Sequence, residues 1–247
     1  MNYRRLADEI AAWMRSYAEQ AAMCGYVIGL SGGIDSAVTA ALAIRAVGAE
    51  HTLGAIMPCH SQAEDAHLAH NVADALGLNT ETVDLTSVYD ALAGMLPVGP
   101  KMACANIKAR LRMTTLYYLA QCRDYLVAGT GNKPEMLVGY FTKYGDGGVD
   151  IEPLGDLYKG EVRKIAAVLS IPERIIARPP SAGLWPGQTD EGELGISYEE
   201  LDAVLEALAT NAAAPVPLET VDRVHRMVAA SAHKRAMPPI FKVQYRP

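Results

Sequence analysis

Tyr26-Val-Ile-Gly-Leu30 is a short apolar run that passes directly into Ser31-Gly-Gly-Ile-Asp-Ser36. A run of this length, bounded by glycines, has the pattern of a strand buried on both faces, as in a parallel sheet. Beyond the turn, Ser36 to Val47 is Ala-rich and apolar almost all round, which marks a helix covered on more than one side. A tight strand-to-helix turn aims backbone N–H groups and the positive helix end at whatever lies above the sheet, so it forms an anion cradle. Gly32 and Gly33 let an oxygen-rich ligand approach the main chain, and Ser31 and Ser36 add hydroxyl donors. The turn is neither a G-x-x-x-x-G-K-[ST] loop nor a G-x-G-x-x-G loop. Asp35 would repel an anion held there unless a divalent cation lay between them, and this predicts Mg²⁺ at Asp35. The competing reading is a plain helix start, with a capping side chain and glycines that only turn the chain.

Working outward, the pattern alternates. A helix is expected over residues 3–23, with Leu6, Ile10, Trp13, Met14 and Tyr17 near helical spacing. Further strands are expected near Thr52–Met57, Thr80–Leu85 and Tyr125–Ala128, with helices near Ala63–Leu76 and Met102–Gln121. The apolar seam of the last helix runs through Ile107, Leu111, Tyr118 and Cys122. On that seam Arg110 lies at the edge and Lys108 and Arg112 on the opposite face. The β-α-β-α-β order implies an α/β fold, a doubly wound parallel sheet flanked by helices, joined by right-handed crossovers. Residues 129–195 are rich in glycine and proline and show little periodicity apart from a helix near Lys159–Leu169, so they read as a long functional or disordered region, in which the polar, Gly/Pro-rich segment from about Arg178 to Gly195 is a candidate lid. Helices near Tyr198–Leu208 and Leu218–Ala230 close the chain ahead of a basic tail.

The 247 residues are half hydrophobic and one fifth charged, and the net charge is −6, which excludes a disordered chain. A chain of this size buries about 70–75% of its unfolded surface, enough for one domain spanning residues 1–247. The acidic balance argues against a phosphate-backbone footprint and hence against nucleic acid as a partner. No stretch reaches the roughly 20 uncharged apolar residues of a bilayer span, and no signal-peptide core is present, so a cytoplasmic, membrane-free protein is expected. Cys24, Cys59, Cys104 and Cys122 have no metal-ligand spacing and read as free thiols; Cys59-x-His60 supplies two ligands, too few for a closed site.

Ser31–Ser36 resembles the PP-loop of the ATP pyrophosphatases, enzymes that split ATP between its α and β phosphates to adenylate a substrate. Gly129-Thr-Gly-Asn-Lys-Pro-Glu135, Tyr140-Phe-Thr-Lys-Tyr-Gly-Asp-Gly-Gly-Val-Asp150 and the run Pro180–Gly195 followed by Ile196-Ser-Tyr198 are similar to NAD synthetases, and the likeness covers almost the whole chain. The resemblance implies an adenine nucleotide alpha hydrolase-like fold. It implies ammonia-dependent amidation of nicotinic acid adenine dinucleotide (deamido-NAD) through an adenylate, with release of AMP and pyrophosphate. It places ATP on Gly29, Ser31, Gly32, Gly33, Asp35, Ser36, Thr130, Lys159 and Ser181, and Mg²⁺ on Asp35 and Glu135. Deamido-NAD falls to Arg110, Lys143, Asp150, His233 and Lys234. Asp35, Glu135 and Lys159 are the expected catalytic groups, and Asp146 or Asp150 the proton acceptor for ammonium. A homodimer is implied as well.

Departures from the family pattern lie on the adenine side, at Ile56-Met57-Pro58 and Gln62-Ala-Glu-Asp65, and at Gly131-Asn-Lys133, which replaces an Asp-His-Ala form. The last resembles the glutamine-using members. About 24 residues precede the first strand, too few for a glutaminase domain, so free ammonia is the expected donor and a separate glutaminase the minority case. The rival readings are another PP-loop enzyme, such as a GMP synthetase ATPase subunit or a tRNA-modifying adenylase, and a non-catalytic nucleotide-binding regulator. Retention of Asp35, Glu135 and Lys159 together argues against the regulator.

Overall fold

The computed structural model of the chain describes residues 1–185 and 187–243; the lid expected over 178–195 therefore includes one position, Pro186, that lies outside the described residues. Asn2 caps the first helix, α1 (Tyr3–Gln20), by accepting the Arg5 N–H at 3.1 Å. The buried stripe of α1 is Ala7, Ala11, Met14 and Ala18; of the seam expected from the sequence, Met14 lies in it, Leu6 and Ile10 pack partly buried against the same core, and Trp13 and Tyr17 lie outside. Small side chains let α1 lie close against the next helix, while Trp13 and Tyr17 remain 44% and 38% exposed at its margin. The chain then enters β1 (Gly25–Gly29) and α2 (Ile34–Val47), the latter buried on nearly every side as the sequence indicated. Next come β2 (Thr52–Ile56), α3 (Ala63–Leu76), β3 (Asn79–Thr82), α4 (Thr86–Met95), α5 (Lys101–Gln121) and β4 (Tyr125–Val127). The strand expected to reach Leu85 ends at Thr82, and α4 follows within four residues.

Among the described residues the strands form one parallel sheet in the order β3-β2-β1-β4. Successive residues of β1 point to opposite faces. Tyr26 and Ile28 join a core with α1 and α2, and Val27 joins a second core with Leu53, Leu119 and Val127. Helices therefore cover both faces, and the chain leaves β1 toward β2 on one side and returns as β4 on the other. That reversal opens a crevice above the C-terminal ends of β1 and β4, where open α/β sheets bind ligands.

Residues 129–195 are more ordered than their composition suggests. They hold α6 (Lys133–Val138), α7 (Lys159–Val168), α8 (Glu173–Ile176) and α9 (Asp190–Leu194), and α10 (Tyr198–Thr210) and α11 (Leu218–Ala230) follow. Three of these helices have six residues or fewer, too short to show a 3.6-residue period; α6 and α9 start on side-chain caps, Asn132 and Thr189, while α8 follows Pro172 with none. Val162, Ile165 and Ala166 of α7 pack into the core that holds α1 and α2, while Val138, Tyr198 and Leu201 build a third cluster beside the crevice.

The helix α5 corrects the sequence reading. Tyr118 is 69% exposed and Cys122 is exposed, whereas Lys108 is buried and Arg110 is exposed. The apolar residues of α5 are spread around the whole helix, so periodicity does not select a face. The buried face is fixed by Ala105, Ala109, Leu119 and Ala120, and Lys108 shares it. The described residues contain no helix long and apolar enough to cross a membrane, and the four cysteines form no disulfide.

Candidate active site

The turn after β1 is rigidified by its own side chains. Ser36 Oγ donates to Gly33 O at 3.0 Å, lies 3.1 Å from Ser31 Oγ and accepts the Ser31 N–H at 3.3 Å. Gly32 sits at φ +77°, and a Cβ there would lie 2.8 Å from both Asp65 O and Leu68 Cβ, so glycine is required twice over. The turn feeds α2, whose first turn carries Asp35.

The turn after β4 supplies the facing wall. Thr130 lies in it, and Asn132 ends it as the N-cap of α6. The Asn132 side chain accepts the Glu135 N–H at 3.2 Å, and Glu135 Oε2 accepts the Asn132 N–H at 3.2 Å, a reciprocal capping box. Asn132 is fully buried and its Nδ2 donates to Asp35 Oδ1 at 3.1 Å. Beneath the turn, Glu152 Oε2 accepts the Gly131 N–H at 3.1 Å, and a Cβ at Gly129 would sit 2.3 Å from that carboxylate.

Lys159, from the start of α7, joins the two walls. Its Nζ donates to Asp35 Oδ2 at 2.6 Å and to Glu135 Oε1 at 3.3 Å, and its side chain is 1% exposed. Burial alone would lower the Lys159 pKa, but the charges of Asp35 and Glu135 overcome it and hold the amine protonated. Burial raises the Glu135 carboxyl, Lys159 opposes that rise and Asp35 adds to it. The Tyr198 hydroxyl lies 2.9 Å from Glu135 Oε1 and 3.1 Å from Asp190 Oδ2, and the Tyr140 hydroxyl joins Asp190 to Glu193. A chain of alternating carboxyl and phenol groups thus runs from Glu135 to exposed Glu193.

The segment expected to act as a lid rests on this site. Arg178 pairs with Asp65 at 2.6 Å and reaches Gly32 O at 3.4 Å, while Lys108 Nζ donates to Leu184 O at 3.0 Å. Arg112 Nε donates to Met57 O at 3.1 Å and its Nη2 to Ser61 Oγ at 3.3 Å. Lys108 and Arg112 were placed on the wrong face by sequence reasoning; charged residues four apart within an Ala-rich helix are the signal that could have found them. Ser181 lies in the lid, where its hydroxyl donates to Gln188 O at 2.7 Å.

The residues expected at the dinucleotide divide. Arg110 Nη2 donates to Lys143 O at 3.2 Å, and Lys143 Nζ donates to His233 O at 2.5 Å, so these three meet. Lys234 binds Gly139 O at 2.7 Å and Phe141 O at 2.8 Å nearby. Asp150 is bound to the scaffold instead, accepting from the Tyr117 hydroxyl at 3.0 Å and the Val127 N–H at 2.8 Å.

The donor set suits Mg²⁺. Asp35 and Glu135 offer hard carboxylate oxygens that keep 19% and 15% exposure. That matches a cation which binds through one or two carboxylates and substrate phosphates and keeps its other waters.

Glu152 gives a test of this electrostatic reading. Its carboxyl is pushed up to about 8 by burial, against the pull of the Gly131 N–H, with Glu135 and Asp146 adding repulsion. Between the unfolded value of about 4.3 and about 8, the native state holds a proton that the unfolded chain has released, so this group makes stability fall as pH rises through that window. Glu152→Gln keeps an acceptor for Gly131 without the charge. Metal-free thermal unfolding across pH should therefore be flatter for this variant, with its gain over the parent largest above about pH 8; parallel curves would contradict the assignment.

Comparisons with known proteins give the family and the fold. The family model described as NAD synthase matches residues 6–238. The NH3-dependent NAD+ synthetase of Archaeoglobus fulgidus is 46% identical over 246 residues, covering 99% of each chain. The solved NMN synthetase of Francisella tularensis superposes with a TM-score of 0.89 at 35% identity, covering 98% of this chain and 100% of that one. The NH3-dependent NAD synthetase of Campylobacter jejuni, solved with a nitrate ion, gives 0.86 at 28% identity, covering 98% and 100%.

Proposed function

The chain belongs to the NAD synthase family, and from that premise we propose that it converts deamido-NAD to NAD with ATP and ammonia. It is a ligase forming a C–N bond, in two steps. The nicotinate carboxylate attacks the α-phosphate of ATP and expels pyrophosphate, and ammonia then displaces AMP. The observation that carries this reading is the meeting of Asp35, Glu135 and Lys159 above β1 and β4, beside a turn built to cradle phosphates.

Both reactants are anions, so positive charge must be supplied where they meet. Lys159 provides it from a buried, pre-oriented position and needs no reorganisation during the reaction. Mg²⁺ would be held by Asp35 and Glu135 and, when bound, would neutralise charge on the triphosphate. Gly29, Ser31, Gly32, Gly33, Ser36 and Thr130 seat the phosphates through main-chain N–H and hydroxyl groups. Holding the two substrates in line can supply roughly 7–11 kcal/mol of the barrier. Ser181 belongs to the segment that covers the adenylate and limits hydrolysis. Arg110, Lys143, His233 and Lys234 bind the phosphates of deamido-NAD, and the same reading includes Asp150 at its rim and Asp146 or Asp150 as proton acceptor. It also includes a cytoplasmic homodimer, for which Tyr118 on α5 and Val98 just before it offer exposed apolar surface.

The test is to incubate the purified chain with ATP, Mg²⁺ and deamido-NAD, with either ammonium or glutamine, and score NAD and pyrophosphate. NAD should form with ammonium at one pyrophosphate each, and glutamine should not replace it without an added glutaminase. A parallel arm with the deamidated mononucleotide reads which substrate is preferred. Pyrophosphate release without either nicotinate substrate, or none at all, would overturn the assignment.

A further inference from the structure

Asn132 touches both carboxylates of the proposed Mg²⁺ site, although they stand on different helices: its main-chain N–H donates to Glu135 Oε2 at 3.2 Å and its side-chain Nδ2 to Asp35 Oδ1 at 3.1 Å. Its Oδ1 is taken by the Glu135 N–H at the start of α6, and its Nδ2 by Asp35 Oδ1 on α2. The amide cannot be turned over without facing an oxygen to the Asp35 carboxylate and an NH₂ to the Glu135 N–H, so its neighbours fix its orientation from both sides. The residue is fully buried. Asp35 Oδ2 is already bound by Lys159, so the Asn132 contact holds the other oxygen and sets the carboxylate rotation.

We propose that Asn132 is a positioning residue for this site: one amide fixes Asp35 and Glu135 relative to each other, so that two helix starts act as a single cation-binding unit. This rests on the ligase reading given above. A helix cap and a carboxylate orienter are separable roles. Asp and Ser are N-caps as good as Asn, so both variants keep the start of α6. Neither can donate to Asp35: the serine hydroxyl is too short, and an aspartate places a charge against it.

The experiment compares Asn132→Ser and Asn132→Asp with the parent in three readouts. These are metal-free thermal unfolding, Mn²⁺ binding followed by the EPR signal of free ion with α,β-methylene-ATP present, and kcat and KM for NAD formation. Asn132→Ser should bind Mn²⁺ about tenfold more weakly and lose about 10–100-fold in kcat, the scale seen when a group orienting a metal ligand is removed. Its KM for deamido-NAD should not change. Asn132→Asp should lose kcat likewise and unfold below the parent temperature, because it sets a second buried carboxylate against Asp35; as the isosteric variant it carries the kcat comparison should the serine variant not fold. Mn²⁺ affinity and kcat within twofold of the parent in either folded variant would reduce Asn132 to a cap and overturn the inference. A parent protein that makes no NAD would instead overturn the ligase reading, and the Mn²⁺ measurement would still judge the positioning.

Discussion

Lys159→Met is expected to remove NAD formation by about 10²–10³-fold or more in kcat, the scale for deleting one pre-oriented donor to developing charge. It should also destabilise the metal-free protein. Methionine nearly matches the length of lysine and tolerates an apolar site, so the loss is one of charge. Lys159 is the buried cation that holds Asp35 and Glu135 together, and Asp190 lies within its field. Without it, carboxylates on three elements crowd one another with no counter-charge. Breaking a buried pair by removing one partner costs about 3–5 kcal/mol, because the remaining charge is left uncompensated. Mg²⁺ should restore much of the thermal midpoint by supplying positive charge between the same carboxylates, yet leave kcat low. The measurement is thermal unfolding with and without Mg²⁺ beside steady-state kinetics at saturating Mg²⁺. Wild-type kcat under saturating metal would mean that Lys159 only holds the empty site, and its catalytic assignment would fail.

That split between architecture and chemistry also marks what the sequence could show. The Tyr26–Val47 stretch carried the parallel strand, the turn after it and the covered helix, because a buried strand, a tight turn and an Ala-rich helix each leave a local pattern. Glu135 and Lys159 were legible through resemblance, and their meeting with Asp35 was not, since it depends on where α6 and α7 start in space. Tyr198 lay within a quoted motif without a role; its hydroxyl against Glu135 exists only once α10 packs beside α6. Lys108 and Arg112 went to the wrong face because the α5 pattern is apolar on every side, so packing against the sheet chose the face. Asp150 was read as a ligand contact, and its carboxylate also accepts from the Val127 N–H at the end of β4 and from Tyr117, a structural tie the sequence did not show. A strand end that needs a side-chain acceptor leaves no trace in composition.

Asp35→Ala should separate reaction from fold in the opposite sense to Lys159→Met. The first-turn carboxylate of α2 is not its cap; Gly33 holds the N-cap position, and the Ser31–Ser36 hydrogen bonds close the turn without Asp35. Deleting Asp35 leaves Lys159 with Glu135 as partner at 3.3 Å and takes away a negative charge that Glu135 opposes. No buried charge is stranded, so the thermal midpoint of the metal-free variant should stay within a few degrees of the parent. The orphan is the Asn132 Nδ2 donor, for which the space vacated by the carboxylate has room for a water. Chemistry fares differently: cation-assisted charge stabilisation is worth several kcal/mol, and about 4 kcal/mol corresponds to about 10³-fold in rate. Single-turnover pyrophosphate release from ATP and deamido-NAD should therefore fall by about 10³-fold, with added Mg²⁺ giving little recovery because half of its protein ligands are gone. A folded Asp35→Ala protein that released pyrophosphate at near-parental rate would show that the triphosphate is activated elsewhere, and the pairing of Asp35 with Glu135 would then be structural alone.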